Sequence, residues 1–195
     1  MKSEANLNTK LLVFVVGTSG SGKDSVMQET VSYLASHNIP ASTLRRIITR
    51  SPDKNEESTF MTTEDFLKLM KNNEFALSWH IYDNWYGCGW TPIKDAVTRN
   101  ELLLINVSRS ILFKAREVFP ECLIVHVTVP KEIAESRIKK RGREDGRGLT
   151  TRLNRMKSNV EMPTPNKTVE NTGDLHKTAE ELGKYLKEHY LAVRG

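Results

Sequence analysis

Apolar runs in this sequence alternate with segments whose apolar positions recur every three or four residues. The apolar and β-branched runs predict strands at about 10–16, 41–49, 101–107, 121–129 and 167–171. The helical periodicity predicts helices at about 24–37, 91–99, 110–119, 130–141, 149–160 and 174–193. Strands that alternate with helices, several of them apolar on both faces, indicate an α/β fold around a parallel sheet.

A segment of mixed pattern interrupts this alternation. Thr62-Thr63-Glu64-Asp65 resembles a capping box and predicts the start of a short helix. Residues 74–90 are rich in aromatic residues and carry Asp83-Asn84 near their middle, which predicts a β-hairpin. Thr91-Pro92 follows and predicts the first turn of the next helix. The segment therefore predicts a small unit of helix and hairpin inserted into the α/β core.

We expect residues 1–195 to form a single domain, because this length suits one hydrophobic core. The core is predicted to comprise residues 10–44 and 91–195, with the insertion at about 45–90. A glycine- and charge-rich stretch within about 137–155 predicts a mobile lid.

Composition and charge narrow the classes of protein to consider. Residues 1–9 are polar and are expected to fray, and they lack the apolar centre of a signal peptide. No apolar run has the length of a membrane span. Cys88 and Cys122 are too few for a disulfide framework and lack metal-ligand spacing, so we expect reduced thiols in a cytoplasmic protein. The net charge of +5 fits either nucleic-acid binding or a site rich in arginine for phosphates; the oligomeric state stays open.

A glycine-rich stretch between the first strand and the first helix carries the strongest signal. Its residues are Gly17-Thr18-Ser19-Gly20-Ser21-Gly22-Lys23-Asp24-Ser25. Strand, glycine-rich turn and helix is the context of a phosphate-binding P-loop, whose amide groups and helix N-terminus point at a polyphosphate. Lys23 is placed to reach the β- and γ-phosphates. Asp24 stands where Ser or Thr usually follows the lysine.

Two groups of arginines suggest further phosphate contacts. Arg46 and Arg50 lie four residues apart, which puts them on the same face of an extended strand, although a solvated strand end would look similar. Arg137 and Arg141 share one helix face and lead into Arg143. A lid that closes arginines over a transferring phosphoryl group fits this second group, and so does a basic surface patch. Nucleic-acid binding is less favoured, because no aromatic residues are interleaved with the second group.

The predicted hairpin and the second core strand supply the remaining candidates. Tyr86 could hydrogen-bond a substrate phosphate, and Gly87 could allow a close approach. Packing within the hairpin is the alternative for its tryptophans. Asn106 ends the apolar strand at a position where an aspartate often helps to hold Mg²⁺. We hypothesise that Asp24 compensates, so that the acidic group near the metal has moved onto the loop.

From about residue 11 to 175 the chain resembles the guanylate kinase-like branch of the nucleoside monophosphate kinases. The P-loop, an Arg-x-x-x-Arg pair, Tyr-Gly after a hairpin and Arg-x-x-x-Arg-Gly-Arg-Glu occur in the same order. Within that branch the chain is most similar to the ribose 1,5-bisphosphate phosphokinase family. The stretches that carry this narrower likeness are Gly22-Lys23-Asp24-Ser25, Ile48-Thr49-Arg50, Ala76-Leu77-Ser78-Trp79-His80, Tyr86-Gly87-Cys88-Gly89, Asn106-Val107-Ser108-Arg109 and Arg141-Gly142-Arg143-Glu144.

The resemblance implies a three-layer P-loop kinase fold with a parallel core sheet, a small inserted substrate-binding domain and a lid. It implies ATP and Mg²⁺ as cofactors and a phosphorylated sugar as acceptor, with 5-phosphoribosyl 1-diphosphate as the product of phosphonate catabolism. The implied catalytic residues are Lys23, Arg137, Arg141 and Arg143, with residues 17–25 on ATP and Asp24 on the metal. The implied acceptor-binding residues are Arg46, Arg50, Ser78, Tyr86, Asn106, Arg109 and Arg152.

Two alternatives accompany this interpretation. The first is a guanylate or other nucleoside monophosphate kinase. Guanylate kinases, however, read guanine with acidic residues in regions where this chain has Leu77-Ser78 and Asn106. The second is a non-catalytic guanylate kinase-like binding module, but such modules typically lose the P-loop lysine and glycines, which are present here.

Overall fold

The structure is a computed structural model that describes residues 7–51, 58–81, 83–141 and 160–195. Its strands are β1 (Leu12–Val16), β2 (Ala41–Thr43), β3 (Arg46–Ile48), β4 (Ser58–Phe60), β5 (Phe75–Ile81), β6 (Asn84–Gly89), β7 (Leu102–Asn106), β8 (Leu123–Thr128) and β9 (Lys167–Glu170). Its α-helices are α1 (Lys23–Ser36), α2 (Thr63–Lys71), α3 (Trp90–Thr98), α4 (Leu112–Val118), α5 (Lys131–Arg141) and α6 (Leu175–Arg194). Short 3-10 turns at Thr9–Leu11 and Arg109–Ile111 precede β1 and α4.

A five-stranded parallel sheet with the order β2-β7-β1-β8-β9 forms the core. Every residue of β1 and β7 is buried, as expected for strands covered on both faces. Val15 of β1 lies opposite Asn106 of β7 and Val125 of β8. The carboxyl ends of these strands therefore meet at one edge, directly before the glycine-rich loop.

Helices cover both faces of this sheet. Parallel strands are joined by right-handed crossovers. Across the strand order of the sheet, the chain steps in one direction from β1 to β2 and in the opposite direction from β2 to β7 and from β7 to β8. Because every crossover has the same hand, α1 lies on one face of the sheet and α3 and α4 lie on the other. α6 packs on α1 so closely that a Cβ on Gly183 would collide with the Tyr33 ring. The result is the predicted three-layer α/β architecture.

A second sheet with the order β4-β3-β6-β5 is built from residues 46–89. The β5–β6 pair is the predicted hairpin. The predicted capping box is also confirmed, since the Asp65 amide donates to Thr62 Oγ1 at 3.2 Å and opens α2. Phe66 of α2 stacks on Phe75 at 4.4 Å between ring centroids, which fastens the helix to the hairpin.

The prediction of one continuous strand over 41–49 was wrong. The Leu44 amide still donates to the Leu104 carbonyl of the core sheet at 2.9 Å. Two residues later, Arg46–Ile48 belongs to the second sheet and pairs with β6. The β-branched composition favours an extended chain throughout, but it does not reveal that the ladder partners change at Leu44.

Three predicted features lie wholly or largely outside the described ranges: the glycine- and charge-rich stretch after Arg141, the helix at about 149–160 and most of the lid at about 137–155. Across the part of the chain that is described, no helix combines the length and apolarity needed to cross a bilayer.

Candidate active site

The glycine-rich loop runs from the end of β1 to the start of α1 and is tightly packed from outside. Gly20 and Gly22 have positive φ angles of 83° and 77°. A Cβ on Gly20 would lie 2.7 Å from the Ala134 carbonyl oxygen, and one on Gly22 would lie 2.5 Å from Asn171 Nδ2. Side chains larger than hydrogen are therefore excluded by both backbone conformation and space.

Lys23 opens α1 and folds back over this loop. Its Nζ donates to the carbonyl oxygens of Gly17 at 3.0 Å and Thr18 at 3.3 Å. The ammonium thus lies over the hollow of the loop, beside the positive end of the α1 dipole. An anion bound there would meet the lysine and the first amides of the helix together.

Arg137 of α5 and Asn171, just after β9, brace the back of the loop. Asn171 is 4% exposed, and its Nδ2 donates to the Ser21 carbonyl at 2.8 Å. Arg137 Nη1 donates to the carbonyls of Gly20 at 3.3 Å and Asn171 at 3.4 Å. Because these partners occupy loop carbonyls from outside, they favour a loop whose amide groups are available on the inner side.

The predicted arginine group of the lid is only partly described. Arg137 bonds the Gly20 carbonyl in this structure, and its predicted catalytic role stays a prediction. Arg141 ends α5, and Arg143 and Arg152 lie outside the described residues. The roles predicted for these last three arginines stay predictions.

Asp24 and Asn106 meet at the sheet edge beside Lys23. Asn106 is the last residue of β7 and is 7% exposed. Its Nδ2 donates to Asp24 Oδ1 at 2.6 Å, across 82 residues of sequence. The structure thus brings together the two residues that the sequence placed near the metal.

A Mg²⁺ site at this place fits the donor chemistry of Asp24, because Mg²⁺ prefers carboxylate, water and phosphate oxygens. Within the described residues, no group of three or more His, Cys, Asp or Glu side chains is placed to hold a metal. A single carboxylate beside the loop is nevertheless enough for a magnesium ion that takes its other ligands from nucleotide phosphates and water.

A recess opens between α1, the end of β2 and the end of β7. Its lining residues are Asp24, Met27, Gln28, Thr43, Leu44, Arg46 and Asn106. Arg46 is 8% exposed, so its guanidinium is among the few nearly buried charges of the described chain. A buried guanidinium beside an open recess suits an anionic or polar ligand.

Arg46 and Arg50 both approach Tyr86, although not as the sequence predicted. β3 ends at Ile48, so the two arginines do not share one face of a strand. Arg50 Nε donates to Tyr86 Oη at 3.4 Å, whereas Arg46 Cζ lies 5.7 Å from the centre of the Tyr86 ring. Trp79, the cross-strand partner of Tyr86, stacks on its ring with 5.5 Å between centroids. The tyrosine hydroxyl and two guanidinium groups therefore form one cluster.

Ser78 does not join this cluster. It lies opposite Gly87 in the β5–β6 ladder, whereas Trp79 lies opposite Tyr86. Since successive side chains of a strand point to opposite faces, Ser78 is on the α2 side of the sheet and Tyr86 on the other. Phe75 covers the α2 side at Gly87, where a Cβ would collide with its ring. The geometry therefore separates Ser78 from the residues with which the sequence grouped it, and it does not support the predicted role in acceptor binding.

Arg109 and His126 lie near Lys23, at the edge of the core sheet where the parallel strands end. Arg109 starts the 3-10 turn that follows β7, and His126 lies in β8 opposite Val16, the last residue before the loop. Burial lowers the pKa of the His126 imidazole below its usual value, and the charges of Arg109 and Lys23 lower it further. The lowered pKa favours a neutral imidazole at pH 7. The two cationic side chains near it, Arg109 and Lys23, make this edge of the sheet electropositive.

The cysteines take no part in this chemistry. Burial raises the pKa of the Cys88 thiol to about 12, although the nearby Arg46 charge opposes the shift. Burial likewise raises the pKa of Cys122 to about 11. Both thiols are free and protonated at neutral pH, so neither is an activated nucleophile.

Sequence reasoning overlooked His126 and the brace around Asn171. A lone histidine inside an apolar strand gives no signal of what its neighbouring strands carry. Asn171 contacts Ser21 across 150 residues of sequence, and only the parallel pairing of β8 with β9 brings it to the loop.

Comparisons with known proteins agree with this geometry. The family model described as guanylate kinase matches residues 8–189. The ribose 1,5-bisphosphate phosphokinase PhnN of Desulfomicrobium baculatum is 32% identical over 184 residues, which cover 94% of this chain and 97% of that protein. The protein of the same name from Acidiphilium cryptum is 36% identical over 150 residues, or 77% and 79% of the two chains.

A solved structure shares the fold. The guanylate kinase from Anaplasma phagocytophilum aligns with a TM-score of 0.66 over 95% of this chain and 89% of that chain. At 16% sequence identity, this likeness concerns the architecture alone.

Proposed function

Because the chain belongs to the guanylate kinase family, and within it to the family of the ribose 1,5-bisphosphate phosphokinases, we propose that it transfers the γ-phosphoryl group of ATP to ribose 1,5-bisphosphate. The product is 5-phosphoribosyl 1-diphosphate, a precursor of nucleotides. The protein would act in the cytoplasm, where ATP is available, on small phosphorylated molecules.

The observation that carries the choice of acceptor is the chemistry around Tyr86 and Asn106. Two arginines converge on Tyr86, one of them nearly buried, and β7 of the core sheet ends in the neutral carboxamide of Asn106. A sugar bisphosphate offers two anionic groups and no base, which suits guanidinium groups. A guanine base brings N–H donors instead, and each one left unpaired on burial costs about 1–3 kcal/mol.

The nucleotide side of the site is the loop formed by residues 17–25. The β- and γ-phosphates would replace the Gly17 and Thr18 carbonyls as partners of Lys23 Nζ, which now bonds both. The backbone amides at the start of α1 would hold the remaining phosphate oxygens. Arg137 and Asn171 keep the loop in shape from behind.

The acceptor side is the Tyr86 cluster together with Arg109. Arg46, Arg50 and Tyr86 would hold phosphate oxygens of the sugar and orient its 1-phosphate toward the γ-phosphorus. Binding both substrates in line turns a reaction between two molecules into one within a complex. Arg141, Arg143 and Arg152 are expected to approach from the lid.

In the transfer, an oxygen of the 1-phosphate forms a bond to the γ-phosphorus while the bond to the β,γ-bridging oxygen breaks and ADP leaves. The attacking phosphate is already an anion, so no strong general base is required. The main task of the protein is to offset negative charge on both reactants, and Lys23 and the arginines perform it. A bound Mg²⁺ would add charge neutralisation across the β- and γ-phosphates.

We expect Asp24→Ala to raise the Mg²⁺ concentration for half-maximal rate by about 10- to 100-fold, because the protein would lose its carboxylate ligand. The measurement is the initial rate at saturating ATP and acceptor over a range of free Mg²⁺. An unchanged Mg²⁺ dependence would remove Asp24 from the metal site.

The acceptor assignment is tested by the release of ADP with ribose 1,5-bisphosphate and, separately, with GMP. We expect kcat/KM to be about 100-fold or more higher for the sugar bisphosphate, since a site built for phosphates leaves guanine donors unpaired. Phosphorus NMR of the product identifies the new diphosphate and excludes simple hydrolysis of ATP. Faster turnover of GMP would reverse the assignment in favour of a nucleoside monophosphate kinase.

A further inference from the structure

The contact between Asp24 and Asn106 joins two functional parts of the molecule. Asp24 lies in the first turn of α1, directly after Lys23, and Asn106 ends β7. The 2.6 Å hydrogen bond between them crosses from the nucleotide loop to the core sheet. Both residues also line the recess that contains Arg46. The Asn106 side chain is therefore in direct contact with a carboxylate of the phosphate-binding loop.

The chemistry of the two side chains fixes the direction of this bond. A carboxylate only accepts hydrogen bonds, so the Asn106 amide must present its Nδ2 to Asp24 Oδ1. One carboxylate oxygen is thus held by a neutral donor that brings no charge of its own. A second carboxylate at position 106 would instead bring two like charges to hydrogen-bond distance, and one of them would have to take up a proton.

We propose that Asn106 is a positioning residue, which holds Asp24 Oδ1 so that Oδ2 is presented to the magnesium ion of the bound nucleotide. The inference rests on the proposed kinase function for its metal, but it does not depend on which acceptor is used. It also accounts for two departures from the usual P-loop kinase pattern, Asp24 after the loop lysine and Asn106 at the end of β7. A carboxylate on the loop is held by a neutral donor at the strand end, whereas a second carboxylate there would repel it.

The test is a double-mutant cycle of Asp24→Ala, Asn106→Ala and the double variant. Two measurements are made on each protein: the affinity for ADP by calorimetry with and without Mg²⁺, and the Mg²⁺ concentration for half-maximal rate. We expect Asn106→Ala to raise that concentration about 10-fold, a typical effect of losing the partner that orients a metal ligand. ADP affinity without Mg²⁺ should stay unchanged.

The double variant separates positioning from a merely structural role. If Asn106 acts through Asp24, adding Asn106→Ala to Asp24→Ala should have no further effect on either Mg²⁺ measurement. Additive effects, or a fall in thermal stability with unchanged Mg²⁺ dependence, would overturn the proposal. Thr30→Val is the matched control, since Thr30 is a fully buried polar residue of the same helix whose hydroxyl has no hydrogen-bond partner among the described residues. It should leave the Mg²⁺ dependence unchanged.

The two readouts also keep this proposal apart from the assignment of the acceptor. Calorimetry with ADP requires no acceptor, so the Mg²⁺-dependent loss of affinity can be measured even if ribose 1,5-bisphosphate is not turned over. In that case the acceptor assignment fails and the role of Asn106 stands. Turnover of ribose 1,5-bisphosphate with an unaltered Mg²⁺ response in Asn106→Ala would leave the acceptor assignment intact and overturn the role of Asn106.

Discussion

Lys23→Met is expected to lower kcat/KM for phosphoryl transfer by about 1,000-fold or more. The lysine ammonium lies over the loop and bonds the Gly17 and Thr18 carbonyls, from which it would turn to the β- and γ-phosphates. Removing one preorganised donor of this kind costs about 100- to 1,000-fold, and the loss of a full charge adds to it. Steady-state rates with ribose 1,5-bisphosphate and ATP measure the effect.

Lys114→Met provides the control for this variant, because Lys114 is an exposed lysine of α4 that bonds only Glu117 among the contacts described. Its rate should match that of the unaltered protein. The thermal midpoint of Lys23→Met should change by a few degrees at most, since methionine keeps the apolar stem of lysine. Retention of more than a tenth of the activity would mean that the loop does not hold the transferred phosphoryl group.

Arg50→Met is expected to lower kcat/KM for the acceptor by about 100- to 1,000-fold while leaving the affinity for ATP unchanged. Arg50 is half-buried and donates to Tyr86 Oη from the insertion, on the side proposed for the acceptor. An arginine that holds an acceptor phosphate forms a close charge pair with it, and truncating one partner of such a pair costs about 2–5 kcal/mol. Acceptor kinetics at saturating ATP, together with calorimetry of ADP, separate the two effects.

Two further variants serve as comparisons for Arg50→Met. Tyr86→Phe removes only the hydroxyl and should have a smaller effect in the same direction. Arg99→Met removes an exposed arginine whose described partner is Glu101, and it should have none. An equal loss of nucleotide affinity in Arg50→Met would place this arginine on the ATP side instead.

The sequence was informative wherever the signal is local. β1 and β7 are continuous apolar runs, and the glycines of the loop stand at positions where the structure has positive φ or tight packing. The capping contact of α2 follows from residues three apart. Such features depend on neighbours along the chain, so a pattern of residue types is enough to predict them.

Features that depend on which strand pairs with which were harder to foresee. The face of Ser78 is set by its register with Gly87, and a shift of one residue would have reversed it. The division between β2 and β3 likewise depends on partners far away in the sequence. Asp24 and Asn106 were placed in one region by analogy with kinases, but their direct bond appears only in the structure.

The insertion connects to the core at two short junctions. On one side only Leu44 and Arg45 separate β2 from β3, and on the other Gly89 of β6 is followed at once by α3. A rotation about these two junctions would displace the second sheet as a whole relative to the core sheet and the loop of residues 17–25. Arg46, Arg50 and Tyr86 all lie beyond these junctions and contact one another, so such a rotation would move them together, along with any phosphate that they bind.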